Sequence, residues 1–290
     1  MKQEPLYACL GETTCADFND KSKRVVVATW NPWQSKAYLH LFNTKDATLR
    51  WSVAVGDSRV TALCFYTTVI VAGTYDGTIR RFEPQDGEFL GDPLTQDSPV
   101  TGIRKLSKPY NLYTTGVGEL NIWKFAKYHT EAKRFFSPCP NATALAALRG
   151  GPIGAGSAEG EIMAWDLQTG DDIVRSQVHH ARVRSLRFMS ATTMFSWADD
   201  YSFQSWVFKD GKLISSRSVS AYAEHAVITL SGELVSSTTF DGLTYIRVTT
   251  IGGYIVAEQM GAYGDVTGLY ARDKDVWLVV RHGGPPMLIR

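Results

Sequence analysis

Residues 156–166 read Gly-Ser-Ala-Glu-Gly-Glu-Ile-Met-Ala-Trp-Asp and contain the only Trp-Asp dipeptide in the chain. The stretch predicts a strand end, a tight turn at Glu159-Gly160, and a second strand that closes on an aromatic five residues past the glycine. The pattern recurs. Asp76-Gly77 precedes Phe82, Val117-Gly118 precedes Trp123, Asp200-Tyr201 precedes Trp206, Asp241-Gly242 precedes Arg247, and Gly283-Gly284 precedes Ile289. The turn glycines at 77, 118, 160, 242 and 284 are spaced by 41, 42, 82 and 42 residues, and Asp200-Tyr201 fills the middle of the gap of 82.

A second marker keeps the same period. Strand starts fall at Val60-Thr61-Ala62-Leu63, Val100-Thr101-Gly102-Ile103, Ala142-Thr143-Ala144-Leu145, Val183-Arg184-Ser185-Leu186 and Val266-Thr267-Gly268-Leu269. A repeat of about 41 residues with four short strands cannot bury both its faces alone, so its copies must stack. The expectation is an all-β, seven-bladed β-propeller forming a single domain over 1–290. Its blades fall at 13–55, 56–97, 98–137, 138–178, 179–219, 220–259 and 260–290, with 4–11 pairing into the last blade to close the ring and remove the open edge. These motifs resemble those of the WD-repeat family along the whole chain.

Composition narrows the function. With 44% apolar residues and a net charge of +1, the chain has the makings of a core and no bulk charge for nonspecific nucleic-acid or membrane binding. No apolar run of 18 residues occurs and no signal-like stretch follows Met1, so an intracellular, soluble protein is expected. Cys9, Cys15, Cys64 and Cys139 form no Cys-x-x-Cys pair and read as reduced, mostly buried thiols. Phosphate loops, nucleophile elbows, zinc-protease motifs and calcium loops are all missing from the sequence. The expectation is a non-enzymatic protein with no cofactor and no metal. A propeller enzyme with a central-funnel site is the distant alternative.

Two sets of side chains stand out. His180, Ser196, Asp199 and Trp206 read as a structural hydrogen-bond network through the fifth repeat, as in WD-repeat proteins. Near the turns and strand starts that share one rim lie Trp30, Tyr75, Trp197, Phe240 and Arg281-His282, with Arg59, Arg182 and Arg184. Aromatic and arginine side chains together suit a peptide that presents apolar anchors and carboxylates or phosphates.

Three stretches carry a narrower resemblance: Val-Val-Val-Ala-Thr-Trp ending at Trp30, Val-Arg-Ser-Leu-Arg-Phe from Val183, and Met-Leu-Ile-Arg at 287–290. They are similar to the mitotic-checkpoint Bub-family and mRNA-export Rae-type propellers. That resemblance implies docking of a GLEBS-type segment of a checkpoint kinase or nuclear-pore protein, with phosphopeptides as further ligands. Trp30 becomes the apolar anchor and Arg184 the carboxylate partner. It further implies a monomer within a hetero-complex, at the kinetochore, in the nucleus or in the cytoplasm, with no membrane and no sequence-specific nucleic acid. Thr115-Gly116-Val117-Gly118 departs from the family, which has an aromatic in that repeat. The competing reading is a subunit of a nuclear-pore or export, coat, intraflagellar or ubiquitin-ligase assembly.

Overall fold

The computed structural model describes residues 3–7, 11–19, 22–65, 68–105, 112–116, 119–125, 130–135, 141–148, 151–167, 169–261, 263, 266–271, 277–281 and 284–289. Every named element is a strand. β1 (Gln3–Pro5) is followed by β2 (Glu12–Asn19), β3 (Arg24–Asn31), β4 (Lys36–Asn43) and β5 (Leu49–Gly56). Next come β6 (Val60–Phe65), β7 (Ile70–Thr74), β8 (Thr78–Phe82) and β9 (Leu94–Thr95), then β10 (Gly102–Lys105), β11 (Leu112–Gly116), β12 (Glu119–Phe125) and β13 (Thr130–Phe135). The middle of the chain gives β14 (Ala142–Ala147), β15 (Ile153–Ser157), β16 (Glu161–Trp165) and β17 (Asp172–Gln177), and β18 (Val183–Phe188), β19 (Thr193–Ala198), β20 (Ser202–Lys209) and β21 (Lys212–Ser220). Last are β22 (His225–Ile228), β23 (Leu234–Phe240), β24 (Leu243–Thr249) and β25 (Ile255–Gly261), and β26 (Val266–Ala271), β27 (Trp277–Arg281) and β28 (Met287–Ile289).

Each group makes a four-stranded sheet in chain order, and the final one is completed by the N-terminus in the order β1-β28-β27-β26. There Gln3 lies opposite Ile289, and the Leu6 N–H donates to Pro286 O at 2.9 Å. Contacts divide the chain into two compact units, the first of residues 1–101, 239–245 and 259–290, the second of residues 102–238 and 246–258. Six sheets lie whole within a unit, three in each, while the residues of β22–β25 are divided between them. This corrects the expectation of a seven-bladed propeller closed into one ring, because six sheets stand whole as blades, the residues of β22–β25 are divided, and no closed ring is defined among the described residues. The sequence period counts repeats. It does not decide how neighbouring repeats share their contacts, and in the sixth repeat the turn 239–245 goes with the first unit while the strands around it go with the second.

The run Val25-Val26-Val27-Ala28 is wholly buried because its two faces meet different sheets. Val26 and Ala28 join Val60, Leu63, Ile70 and Phe82, whereas Val25 and Val27 join Leu6, Leu278, Val280 and Leu288. The second unit repeats this on β16. Met163 and Trp165 pack with Ile122 and Ala142, and Ile162 and Ala164 with Val183, Met194 and Trp206. Side chains alternate across a strand, so a continuous apolar run is what a strand between two neighbours needs. Each such valine is worth about 1.5–3 kcal/mol when fully buried.

The strand-start marker also has a physical cause. The ladder slips at its second residue, between Val60 and Ala62, Ala142 and Ala144, Val183 and Ser185, and Val266 and Gly268. Such a bulge re-aims one side chain. Thr61 Oγ1 donates to Val100 O at 2.5 Å and Thr143 Oγ1 to Val183 O at 2.6 Å, in each case tying one repeat to the start of the next. Between the intervening neighbours, Arg104 Nε donates to Leu145 O and Arg187 Nε to Ile228 O, each at 3.1 Å.

Candidate interaction surface

The turn after the second strand and the loop entering the first strand lie at one end of each sheet, because Val60 pairs with Thr74 and Val183 with Ala198. A backbone bond locks them together. Tyr75 N–H donates to Arg59 O at 2.9 Å, Ala158 N–H to Asn141 O at 3.0 Å, and Asp199 N–H to Arg182 O at 2.9 Å. Residues one period apart therefore hold the same position on this end.

In the first unit, Tyr75 and Phe240 are displayed, at 65% and 72% exposure. Arg59 pairs across the turn end with Glu12 at 3.1 Å, both side chains being half exposed. Trp30 is half-buried and packs against the core shared by β3 and β6, so it serves the core as well as the surface. The tryptophan fully displayed is Trp33, at 95% exposure. Asn31 Oδ1 accepts the N–H groups of Trp33 and Gln34 at 3.1 and 3.2 Å, and Tyr38 OH donates to Gln34 Oε1 at 2.6 Å, so this turn is shaped by its own side chains. Arg281 is half-buried and donates through Nε to Pro285 O at 3.0 Å. His282 lies outside the described residues, as do Cys9 and Cys139. Cys15 and Cys64 are buried thiols, and burial pushes the Cys15 thiol up to about 12.

In the second unit two expectations are corrected. Trp197 is not on the surface. It is 1% exposed, its Nε1 donates to Ala221 O at 3.3 Å, and it packs with Phe203, Ile228 and Leu234. The position equivalent to Tyr75 is Asp199, and Trp197 falls where the second and fourth repeats hold Gly73 and Gly156. Secondly, the buried network runs through His179 and Asp200, not His180 and Asp199. Trp206 Nε1 donates to Ser196 Oγ at 2.7 Å, and Ser196 Oγ lies 2.7 Å from His179 Nε2. His179 Nδ1 meets Asp200 Oδ2 at 3.0 Å, and Ser202 Oγ donates to Asp200 Oδ1 at 2.7 Å. Because an ionised carboxylate only accepts, His179 carries its proton on Nδ1 and accepts the Ser196 hydroxyl at Nε2. Burial holds the His179 pKa down against the pull of Asp200. Burial also pushes Asp200 up, but the Ser202 hydroxyl and the His180 N–H outweigh it and keep its carboxyl below the ordinary range.

Ser196, His179 and Asp200 thus have the connectivity of a nucleophilic triad. The serine cannot act as one here, since it is wholly buried and its oxygen takes the Trp206 N–H. The third repeat repeats the indole bond, with Trp123 Nε1 donating to Thr114 Oγ1 at 3.0 Å. Arg184 is half exposed and ion-paired, as Arg59 is. It occupies the bulge and its Nε donates to both oxygens of Asp199, at 2.9 and 3.0 Å. Arg182 and His180 are exposed. Among the described residues no group of three or more His, Cys, Asp or Glu is placed to hold a metal ion, and no helix is long and apolar enough to cross a membrane.

Two further exposed aromatics pack on each other in this unit. Tyr201, at the tip of the β19–β20 turn, and Tyr222, in the loop after β21, have ring centroids 4.7 Å apart at an interplanar angle of 45°.

Comparison of the whole chain with solved structures fits this architecture. It is similar to the crystal structure of the Cps50 (Swd1) β-propeller domain of Myceliophteria thermophila, with a TM-score of 0.79 and 13% identity, covering 100% of this chain and 99% of that one. It is also similar to a computationally designed protein, Ika8, with a TM-score of 0.64 and 20% identity over 96% of this chain and 83% of the design. The likeness shows the fold, a β-propeller. No family model and no curated protein matches the sequence.

Proposed function

We propose that the chain is a peptide-docking adaptor and that the turn end of its sheets is the working surface. The observation that carries this is the locked pair Arg59 and Tyr75, an exposed aromatic fixed by a backbone bond beside a half-exposed guanidinium. Trp33 and Phe240 add displayed aromatics in the same unit. Arginine supplies paired donors to a carboxylate or phosphate, and aromatic anchors carry much of the energy of interfaces. The ligand is an acidic and apolar segment of the GLEBS type, from a checkpoint kinase or nuclear-pore protein. Support for that finer reading is the similarity of 25–30, 183–188 and 287–290 to the Bub-family and Rae-type propellers.

The test is calorimetric titration of the protein with a synthetic GLEBS-type peptide. Binding of micromolar affinity or tighter, weakened at least tenfold by Tyr75→Ala and by Arg59→Glu, is expected. If well-folded wild type binds no such peptide, the reading fails. A second reading is favoured by the outer strand β25, where Ile255 and Val256 are both exposed beside Tyr254. On that reading the chain joins an assembly through the outer edges of its sheets, and charge reversal at Arg59 leaves the interaction intact.

A further inference from the structure

β25 is the outer strand of its sheet and has a ladder partner, β24, on one side only. An outer strand leaves the N–H and C=O groups of alternate residues unpaired, and such a row is a template for another strand. Proteins blunt it by keeping the strand short or by placing lysine, other charges or proline along it. The remaining outer strands here do so. β1 has three residues and contains Pro5, and β9 has two residues. β5 carries Arg50, β13 Lys133 and Arg134, β17 Arg175, and β21 Lys212 and Arg217. Among the described residues β25 is the one long outer strand without lysine, arginine or proline.

The same strand is apolar where it is exposed. Tyr254, just before it, is 74% exposed, Ile255 56% and Val256 53%. Side chains alternate along a strand, so exposure of both Ile255 and Val256 leaves apolar surface on both faces beside the free edge. The one charged residue of β25 is Glu258, and Arg247 on β24 donates through Nε to its carboxylate. Residues 254–258, all in the second unit, thus present an apolar edge whose single charge is answered within the chain.

We infer that β25 pairs antiparallel with β25 of a second copy of this chain. The edge asks for a strand, since an extended backbone is what meets a row of N–H and C=O groups. The charge selects the copy. A two-fold interface sets the same patch against itself, so a strand with like charges meets them again in its partner, and like charges across a strand pair repel. β21, with two cations and no acid, would oppose its own copy in this way. β25 escapes that penalty, and its β-branched side chains Ile255 and Val256 gain cross-strand neighbours. The pairing rests on the outer-edge reading above, naming its strand and its partner, and shares no residue with the Arg59–Tyr75 site.

Sedimentation equilibrium of the full chain tests the pairing. One strand pair with a few apolar side chains lies at the low end of specific interfaces, so a dimer with a Kd of about 1–100 µM is expected. Val256→Lys sets a cation against its own copy and should weaken the dimer about tenfold or more. Ile214→Lys, at a 48% exposed position on β21, should leave it unchanged. Hydrogen exchange at 255–258 should slow as wild type is concentrated through the Kd, and should not slow in Val256→Lys. A chain that stays monomeric up to about 1 mM, a dimer indifferent to Val256→Lys, or a dimer without protection of β25 would overturn the pairing. A monomer that still joined another protein through β25 would overturn the second copy while keeping the outer-edge reading.

Discussion

The Tyr75 N–H donates to the carbonyl of Arg59 at 2.9 Å, and the Arg59 guanidinium in turn holds Glu12 at 3.1 Å. Glu12 therefore occupies the group that an acidic ligand needs. The pair is half exposed, and exposed ion pairs contribute less than about 1 kcal/mol. Glu12→Gln is expected to leave the urea midpoint almost unchanged while tightening an acidic peptide several-fold in calorimetry. Weaker binding would show that Glu12 orients Arg59 rather than competes for it.

The bonds through Ser196 predict a different kind of loss. Ser196→Ala leaves both the Trp206 N–H and His179 Nε2 buried without their partner. An unmet buried polar group costs about 1–3 kcal/mol. Urea unfolding should show destabilisation in that range, and His179→Ala combined with Ser196→Ala should cost less than the two single changes added together.

Two glycines with the same left-handed backbone separate crowding from conformation. A Cβ at Gly160 would stand 2.3 Å from the His179 carbonyl oxygen, whereas one at Gly242 meets nothing within 4 Å. Gly242→Ala should cost about 1–2 kcal/mol from backbone strain alone. Gly160→Ala should cost clearly more and displace the loop that carries His179. Equal losses in thermal unfolding would contradict the turn geometry.

His40 sets a pH dependence. It is fully buried, with Thr29 Oγ1 at 2.9 Å from Nε2 and Ser52 Oγ at 2.8 Å from Nδ1, and burial lowers its pKa from 6.5 to about 4. The unfolded chain binds this proton first. Stability is therefore fully present above about pH 6.5 and falls as the pH drops from there to about 4, by about 3 kcal/mol in all for a shift of this size. Urea midpoints taken from pH 7.5 to 4.5 should decline, and His40→Gln should flatten the decline. His179, also lowered, leaves part of it in place.

Periodicity made the strands legible, and the details that escaped it lie at turns and bulges. The marker Val-Thr-x-Leu could be read because its threonine reaches the next repeat one period on, as Thr61 does to Val100 and Thr143 to Val183. The network histidine, His179, lies one residue before the one the repeat suggests. Aligning Asp200 with Asp76 and Glu159, each preceding the left-handed turn residue, identifies the acid, and His179 follows as the residue whose N–H meets the Gly160 carbonyl. Trp197 was misplaced because an aromatic near a turn looks like a surface anchor, although by count from Tyr201 it falls at the glycine position of β7 and β15. For Arg184 the residue type was informative but its partner was not, since Asp199 reaches it only after the strands pair. Trp33 and Tyr222 lie in irregular loops, where side-chain direction depends on local bonds such as those of Asn31.

Hydrogen–deuterium exchange of the full chain, with and without a saturating GLEBS-type peptide, tests the central claim most directly. The account predicts slowed exchange in the turn-end segments of the first unit, 31–36, 57–60 and 74–77, with the outer strands β21 and β25 unchanged. Protection confined to β21 or β25, or to no segment at all, would contradict it.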